Sequence, residues 1–169
     1  MLTRIPAACT PELEGLVHRT IGCAIRVHQA LGPGYTEGLY HDAMAIDLEL
    51  EGLRCEREVT IHVFYRDRRL RAQRLDLIVE RQIVVELKAV ERLDRIHQAQ
   101  LLSYMKAGNF KVGLLMNFHG EYLKSQLRRF VFMRAISSCS SCPSWFPWLS
   151  ASALQTAPAS GLSASGHPR

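Results

Sequence analysis

Two carboxylates and one amine lie within a short apolar stretch in the middle of the chain. Asp76 stands between Leu75 and the apolar run Leu-Ile-Val, and Glu86 and Lys88 stand at the end of a second apolar run, Ile-Val-Val. Charged side chains are seldom buried without partners, because removing an unpaired charge from water is costly. These residues therefore indicate either an internal ion pair or a cation-dependent site.

Both halves of this stretch are predicted to be strands. The polar residues 80–82 predict a turn that returns the chain and brings Asp76 alongside Glu86. Glu86 and Lys88 are two residues apart, a spacing that projects both side chains to the same side of a strand. Two carboxylates at one edge of a sheet repel each other unless a cation or a proton lies between them. Such oxygen ligands suit Mg²⁺ or Mn²⁺, which retain water and accept phosphate oxygens.

Three helices are predicted from capping residues and from apolar residues at helical spacing. They cover about 11–31, from about 35 or 36 to 50, and from 94 to about 107. The predicted apolar stripe of the second helix consists of Leu39, Ala43, Ile46, Leu50 and Leu53. The predicted core-facing residues of the third helix are Ile96, Ala99, Leu102 and Met105.

Alternating apolar and polar residues predict an antiparallel meander of three strands over 59–65, 70–79 and 83–87. A short buried strand at 111–117 follows the third helix. Because a helix precedes that strand, we expect it to lie beside an earlier strand as a crossover pair. Residues 127–132 are predicted to form a last strand, and the whole order of elements is that of an α/β domain.

Composition indicates one globular domain followed by a tail. The 169 residues carry a formal net charge of +5, which mildly favours polyanionic partners. All 16 acidic residues and all but one of the 21 basic residues lie before residue 135. We therefore predict a folded domain over 1–134 and a disordered Ser/Ala/Pro-rich tail over 135–169. Cys139 and Cys142 in the tail lack the second pair that a structural zinc site needs.

The cysteines and the hydropathy pattern predict a cytoplasmic protein. Five cysteines are scattered and odd in number, so they imply no disulfide framework and fit a reducing compartment. No stretch approaches the roughly 18 consecutive apolar residues that a membrane span needs. We expect no membrane association.

The ordered set of motifs resembles the PD-(D/E)XK superfamily of phosphodiesterases, with the acids on the second helix and on two strands. More narrowly, the chain resembles the family named after a GxxExxY motif, here Gly34-Tyr35-Thr36-Glu37-Gly38-Leu39-Tyr40. The resemblance extends from about Val17 to Phe132. It implies a restriction-endonuclease-like core of order α-β-β-β-α-β, a mixed sheet flanked by helices, with an extra helix before it.

The resemblance also implies roles for individual residues. Asp76 and Glu86 would bind Mg²⁺ or Mn²⁺, with Glu37 as an additional acid and the backbone carbonyl of Leu87 as a further ligand. Lys88 would stabilise charge on the nucleophile or on the phosphorus centre. The residues expected to support the site or to contact nucleic acid are Gln100, Tyr104, Tyr40, His28 and Arg74.

Simpler interpretations exist for several of these residues. Glu37 alone could complement the positive end of a helix, and His28 could be a packing or hydrogen-bonding residue. Glu86 and Lys88 could be a plain structural pair, with Asp76 paired to an arginine. A run of arginines in the first hairpin fits either a solvated face or a phosphate-binding surface; it consists of Arg66, Arg68, Arg69, Arg71 and Arg74.

The function implied is metal-dependent hydrolysis of phosphodiester bonds in nucleic acid, with DNA favoured over RNA. The alternative is a non-catalytic module that retains the fold and binds nucleic acid or protein. Glu37, Asp76, Glu86 and Lys88 are all present, which favours catalysis because a degenerate binder would be expected to have lost at least one of them. A homodimer is compatible with either function.

Overall fold

The computed structural model describes residues 9–132, which contain three helices, five strands and a short 3-10 helix. The helices are α1 (Pro11–Leu31), α2 (Glu37–Leu50) and α3 (Arg95–Gly108). The strands are β1 (Cys55–Tyr65), β2 (Arg68–Val79), β3 (Ile83–Lys88), β4 (Val112–Asn117) and β5 (Leu127–Val131). The 3-10 helix is Leu123–Gln126. The predicted tail, with Cys139 and Cys142, lies outside the described residues.

Helix α1 begins and ends at the residues that its capping signals predict. The Thr10 hydroxyl accepts the N–H of Leu13 at 3.3 Å, and Pro11 occupies the first helical position, where no backbone donor is needed. At the other end Gly32 has φ 68°, and its N–H donates to the carbonyl of His28 at 2.8 Å. Within residues 9–132 no helix is both long enough and apolar enough to cross a membrane.

The five strands form one mixed sheet in the order β1-β2-β3-β4-β5. Strands β3 and β4 are parallel and are joined through α3, while the other neighbours are antiparallel, so the predicted meander and crossover pair are confirmed. Strand β1 begins at Cys55, earlier than the predicted residue 59. Its polar first residues lack apolar alternation, and backbone pairing of Cys55 with Val79 is what extends the strand.

Helices cover both faces of this sheet, and β3 lies between them. Helices α1 and α2 pack on one face in what we call the α1–α2 core, which contains Val85 and Leu87. Helix α3 packs on the other face in the α3 core, which contains Val84. Because apolar layers cover both sides, residues 83–87 are all buried. The architecture is the predicted α/β fold.

The predicted apolar stripes of α2 and α3 are only partly correct: Leu53 and Met105 are buried as predicted, whereas other members of both stripes are exposed for one common reason. Ile46 and Leu50 of α2 are 60% and 81% exposed, and Ile96 of α3 is 68% exposed. Each helix instead turns a tyrosine toward the interior, so a stripe counted from aliphatic residues alone is rotated away from the true one. The buried residues of α2 are Tyr40, Met44 and Leu48, and those of α3 are Leu101, Tyr104 and Met105.

A pair of substitutions on α2 tests this orientation. Leu48→Ala should destabilise the protein by about 2–5 kcal/mol, because it leaves a cavity in the α1–α2 core. Leu50→Ala, two residues away, should change the free energy of unfolding by no more than about 0.5 kcal/mol, because that side chain is largely exposed. Urea unfolding of both variants measures the difference. Equal losses would contradict the observed orientation of the helix.

Candidate functional site

The Asp76 carboxylate lies where β2 and β3 stop pairing. Regular antiparallel pairing of the two strands ends at the row of Leu77 and Val85. Beyond that row, the backbone N–H of Leu87 donates to Oδ2 of Asp76 at 3.0 Å. The carboxylate therefore serves the acceptor role that a backbone carbonyl would fill in a continuous ladder, and this hydrogen bond fixes it beside β3.

Side-chain alternation along β2 also breaks at Asp76. Leu75 packs in the α3 core and Leu77 in the α1–α2 core, although residues two apart on a regular strand share a face. On β1 the residue opposite is Glu58, which has φ 50°, while the rows on either side are paired. The irregularity is confined to the row that contains Asp76. At this row the side chains of β2 change the face of the sheet, and hence the core, toward which alternate residues point.

Glu86 is a buried acid that forms an ion pair with a lysine. Its side chain is 1% exposed, and Oε1 accepts from Nζ of Lys88 at 2.8 Å, which confirms that the two side chains project to the same side of β3. The other oxygen, Oε2, is buried and has no hydrogen-bond partner. Burial, followed by the negative charge of Asp76, raises the pKa of Glu86 to about 7.

Three carboxylates stabilise the positive charge of Lys88. Its ammonium lies 2.8 Å from Oε1 of Glu86 and 3.4 Å from Oε1 of Glu37. Burial by itself would lower the pKa of Lys88, but the hydrogen bond that its ammonium donates to Glu86 and the charges of Glu86, Asp76 and Glu37 together raise that pKa above the ordinary value. The amine is therefore held in its charged form.

His41 also belongs to the cluster, and it is not among the site residues predicted from the sequence. Its Nε2 lies 3.5 Å from Oδ2 of Asp76 and 4.0 Å from Oε1 of Glu37, and this nitrogen makes no hydrogen bond. His41 follows Glu37 by four residues, a spacing that places both side chains on one face of a helix. That spacing was the available signal, because an acid predicted to bind a metal makes a histidine one turn later a candidate ligand.

The cluster has the composition of a site for a divalent cation. The potential ligand atoms of Glu37, His41 and Asp76 all lie within 4.8 Å of one another. Together with Glu86, three carboxylates face the single ammonium of Lys88, which leaves an excess of negative charge. His41 Nε2 and Glu86 Oε2 are buried without partners, whereas buried polar atoms in native proteins usually have one. The donor set therefore fits a divalent cation held mainly by carboxylate oxygens.

Backbone contacts around Asn117 hold the end of β3 in place. Asn117 is fully buried, and its side-chain amide exchanges two hydrogen bonds with the backbone of Val90, at 3.0 and 2.7 Å. The N–H of Phe118 donates to the carbonyl of Lys88 at 2.7 Å. The end of β4 thus fixes the segment that carries Lys88. Nothing in the local sequence predicts this, because the partners are far apart in the chain.

Tyr40 and His28 use their polar atoms to bind loops near the cluster. The Tyr40 hydroxyl donates to the carbonyl of Gly32 at 2.7 Å, and its ring stacks on Phe118 with centroids 4.5 Å apart. Nε2 of His28 lies 2.7 Å from the carbonyl of Gly120. These contacts agree with the packing interpretation of His28, and they place both residues in support of the loops beside the cluster.

The remaining predicted site residues form a hydrogen bond within their own helix or an ion pair with a neighbouring strand. Gln100 donates from Nε2 to the Tyr104 hydroxyl at 2.6 Å, and Tyr104 is buried in the α3 core. Arg74 lies 3.6 Å from Glu58 in an exposed ion pair on the strand that carries Asp76. The contacts of these residues with nucleic acid, like the ligand role of the Leu87 carbonyl, stay predictions.

The ionisation of Glu86 can be measured directly. In protein stripped of divalent cations we expect its carboxyl to titrate near pH 7 rather than near 4.5, because burial and the Asp76 charge oppose ionisation. Since the folded-state pKa is raised, the resulting cost to folding is absent below about pH 4.5, grows as the pH rises toward about 7 and is complete above that value. Carbon-13 NMR of glutamate-labelled protein, assigned with Glu86→Gln, measures the pKa. It should fall in Asp76→Asn, and a value near 4.5 in the unmodified protein would contradict the burial of Glu86.

A comparison with protein families gives the site its context. The model of the PD-(D/E)XK nuclease superfamily matches residues 14–130, from α1 to β5, and this range includes Glu37, Asp76, Glu86 and Lys88. Searches of curated proteins and of solved structures found no match. The matched range covers well over half of the chain, and the mixed sheet with helices on both faces is the fold expected for it. The chain therefore belongs to the PD-(D/E)XK nuclease superfamily.

Proposed function

We propose that this protein is a metal-dependent nuclease that hydrolyses phosphodiester bonds in nucleic acid, with DNA favoured over RNA. The observation that carries the proposal is the convergence of Glu37, Asp76 and Glu86 on the single ammonium of Lys88. Three carboxylates around one ammonium repel one another and are partly buried, which works against stability, so such an arrangement is more often found where chemistry requires it. Superfamily membership supports nucleic acid as the substrate.

The cation would be held by Asp76, Glu86 and Glu37, with the Leu87 carbonyl as a further ligand. His41 adds a nitrogen donor to this oxygen-rich set. A bound divalent cation would neutralise phosphate charge and lower the pKa of the attacking water. The hydrogen bond from the Leu87 N–H holds the Asp76 carboxylate in place before any cation arrives.

Lys88 would act as a fixed positive charge and not as a general base. Its neighbouring carboxylates raise its pKa, so the amine keeps its proton at neutral pH. A charged ammonium beside the scissile group stabilises the negative charge that develops on the phosphoryl oxygens. The backbone contact between Lys88 and Phe118 keeps that charge at a fixed position.

We further propose that the chain belongs to the GxxExxY branch of the superfamily. Gly34 has φ 110°, a backbone conformation that suits glycine, and the Tyr40 hydroxyl donates to the carbonyl of Gly32. The glycine and the tyrosine of the motif therefore shape the loop that brings Glu37 to the start of α2. The glycine, the glutamate and the tyrosine of the motif are thus linked in the structure, and this link supports assignment to the GxxExxY branch.

The location and the oligomeric state complete the proposal. Cys9, Cys23 and Cys55 are free thiols, which agrees with the proposed cytoplasmic location. A homodimer stays a prediction, and sedimentation velocity of the purified protein tests it directly.

Cleavage assays test the proposed activity. The purified protein with Mg²⁺ or Mn²⁺ should cut DNA, and Asp76→Asn and Lys88→Met should each lower the rate by at least about 100-fold, because they remove a ligand and the stabilising charge. Glu49→Gln removes an exposed acid from the far end of α2 and serves as the matched control, with an unchanged rate. Gel analysis of labelled single- and double-stranded DNA and RNA measures all of these rates.

Two results together would contradict the nuclease proposal. The first is that no polynucleotide is cut with either cation. The second is that calorimetry finds no cation binding that Asp76→Asn removes. A protein with both properties would be a non-catalytic module that retains the fold.

The contribution of His41 can be separated from catalysis. His41→Ala should weaken Mn²⁺ binding by at least about tenfold and Mg²⁺ binding by less, because an imidazole nitrogen is a better donor for a transition-metal ion than for Mg²⁺. Isothermal titration calorimetry measures both affinities, and His18→Ala, which alters an exposed residue of α1, is the control. Equal affinities in His41→Ala and the unmodified protein would remove His41 from the ligand set.

A further inference from the structure

The first hairpin extends beyond the rest of the sheet. Strand β2 pairs with β3 only over Leu77–Val79, whereas it pairs with β1 along nearly its whole length. The remaining part, residues 59–75, is therefore a two-stranded ribbon, which we call the outer ribbon. Its turn contains Arg66 and Asp67, both at positive φ, as expected for a tight connection between two twisted strands.

The base of the outer ribbon packs against the α3 core through Val59, Ile61 and Leu75, whereas its outer part is exposed to solvent. Every residue from 64 to 74 is exposed, including Phe64 at 64%, Tyr65 at 53% and Leu70 at 49%. Strands of a globular domain normally bury at least one face, and an isolated two-stranded hairpin is only marginally stable. Such an arm is better explained by a partner that covers it than by the needs of the core.

The charge of the outer ribbon identifies the chemistry of that partner. Residues 59–75 contain five arginines and one acid, Asp67, and therefore carry +4, whereas the whole chain carries +5. Several arginines elsewhere, such as Arg54 and Arg81, have carboxylate partners. Within residues 9–132 no carboxylate lies within ion-pair distance of those at positions 68, 69 and 71.

We propose that the outer ribbon is the arm that holds the DNA substrate, with Arg68, Arg69 and Arg71 contacting backbone phosphates. The proposal rests on the proposed nuclease function, and it names the surface that supplies affinity for the substrate. A two-stranded ribbon is narrow enough to lie along or within the major groove of a duplex. Contacts of arginine with phosphate supply sequence-independent affinity, which suits a protein whose site must accept many sequences.

The position of the ribbon matches the position of the site. Strand β2 carries both, since Asp76 directly follows the ribbon. Arg69 lies seven residues before Asp76, which corresponds to about 23 Å along a strand. Along one DNA strand that distance spans about seven nucleotides. DNA gripped by the ribbon would therefore have a scissile bond at the site within one turn of the helix.

A binding assay without metal tests the proposal. Fluorescence anisotropy with a labelled duplex of about 20 base pairs, in EDTA, gives the affinity between about 50 and 200 mM salt. The triple variant Arg68→Ala/Arg69→Ala/Arg71→Ala should bind at least tenfold more weakly. The slope of log K against log salt should fall by about 0.9 for each phosphate that the variant no longer neutralises. Replacement of the same residues by lysine should restore most of the affinity.

The matched control removes the same amount of charge from the region around the opposite end of the hairpin. Arg19→Ala/Arg54→Ala/Arg81→Ala alters residues paired with Glu51, Glu80 and Glu56, and should leave affinity and salt slope unchanged. Equal weakening in both triple variants would reduce the effect to net charge and overturn the proposal. Unchanged binding in the ribbon variant would also overturn it, as would a change in sedimentation showing that the ribbon joins two copies of the chain.

Failure of this proposal is distinguishable from failure of the nuclease function. If Asp76→Asn abolishes cleavage but the ribbon variant binds DNA normally, the ribbon proposal fails and the nuclease function stands. If the ribbon variant loses DNA binding, but the unmodified protein cuts nothing and shows no cation binding that Asp76→Asn removes, the ribbon proposal stands and the nuclease function fails. If the unmodified protein binds no DNA, the ribbon proposal is overturned. Circular dichroism and thermal unfolding of each variant show that binding differences do not come from misfolding.

Discussion

The buried pair formed by Glu86 and Lys88 is the interaction on which the rest of the structure depends. Glu86 is almost completely inaccessible, and without its partner the acid would be buried unpaired and would take up a proton instead of staying charged. The pair stands at the end of the strand with an apolar layer on each face. The fold therefore supplies low-dielectric surroundings, and these make the acid difficult to ionise, while the neighbouring carboxylates make the amine difficult to deprotonate.

Uncharged contacts position the charged residues around that pair. The Tyr40 hydroxyl and ring connect the loop before α2 to Phe118, so the first turn of α2 is held where Glu37 reaches Lys88. Asn117 joins the end of β4 to the segment after β3. Both devices satisfy buried polar groups locally, so they add rigidity near the cluster without adding further charge.

Structural features that depend on local periodicity could be predicted from the sequence, whereas contacts between distant segments could not. The spacing of Glu86 and Lys88 and the turn after Val79 were sufficient to place both side chains on one side of a strand. The burial of Tyr40 was not predictable from the local pattern, because its hydroxyl finds its hydrogen-bond partner in the loop before α2. The apolar stripe expected for α2 was therefore placed on the wrong side of the helix. His41 follows Glu37 by one helical turn, so its face of α2 could have been predicted, whereas its approach to Asp76 on another element could not. The irregular row at Asp76 has no signature in residue types.

That irregular row has an evolutionary consequence. A one-residue insertion in a regular strand moves every later side chain to the opposite face, which a sheet with two buried faces cannot tolerate. Here the alternation already breaks at Asp76, and residues 64–74 around the hairpin tip are exposed and have no core register to preserve. Paired insertions or deletions in the two strands near the hairpin tip would lengthen or shorten the arm without disturbing either core. Arm length is thus a property that selection or protein engineering can vary while the acidic cluster stays the same.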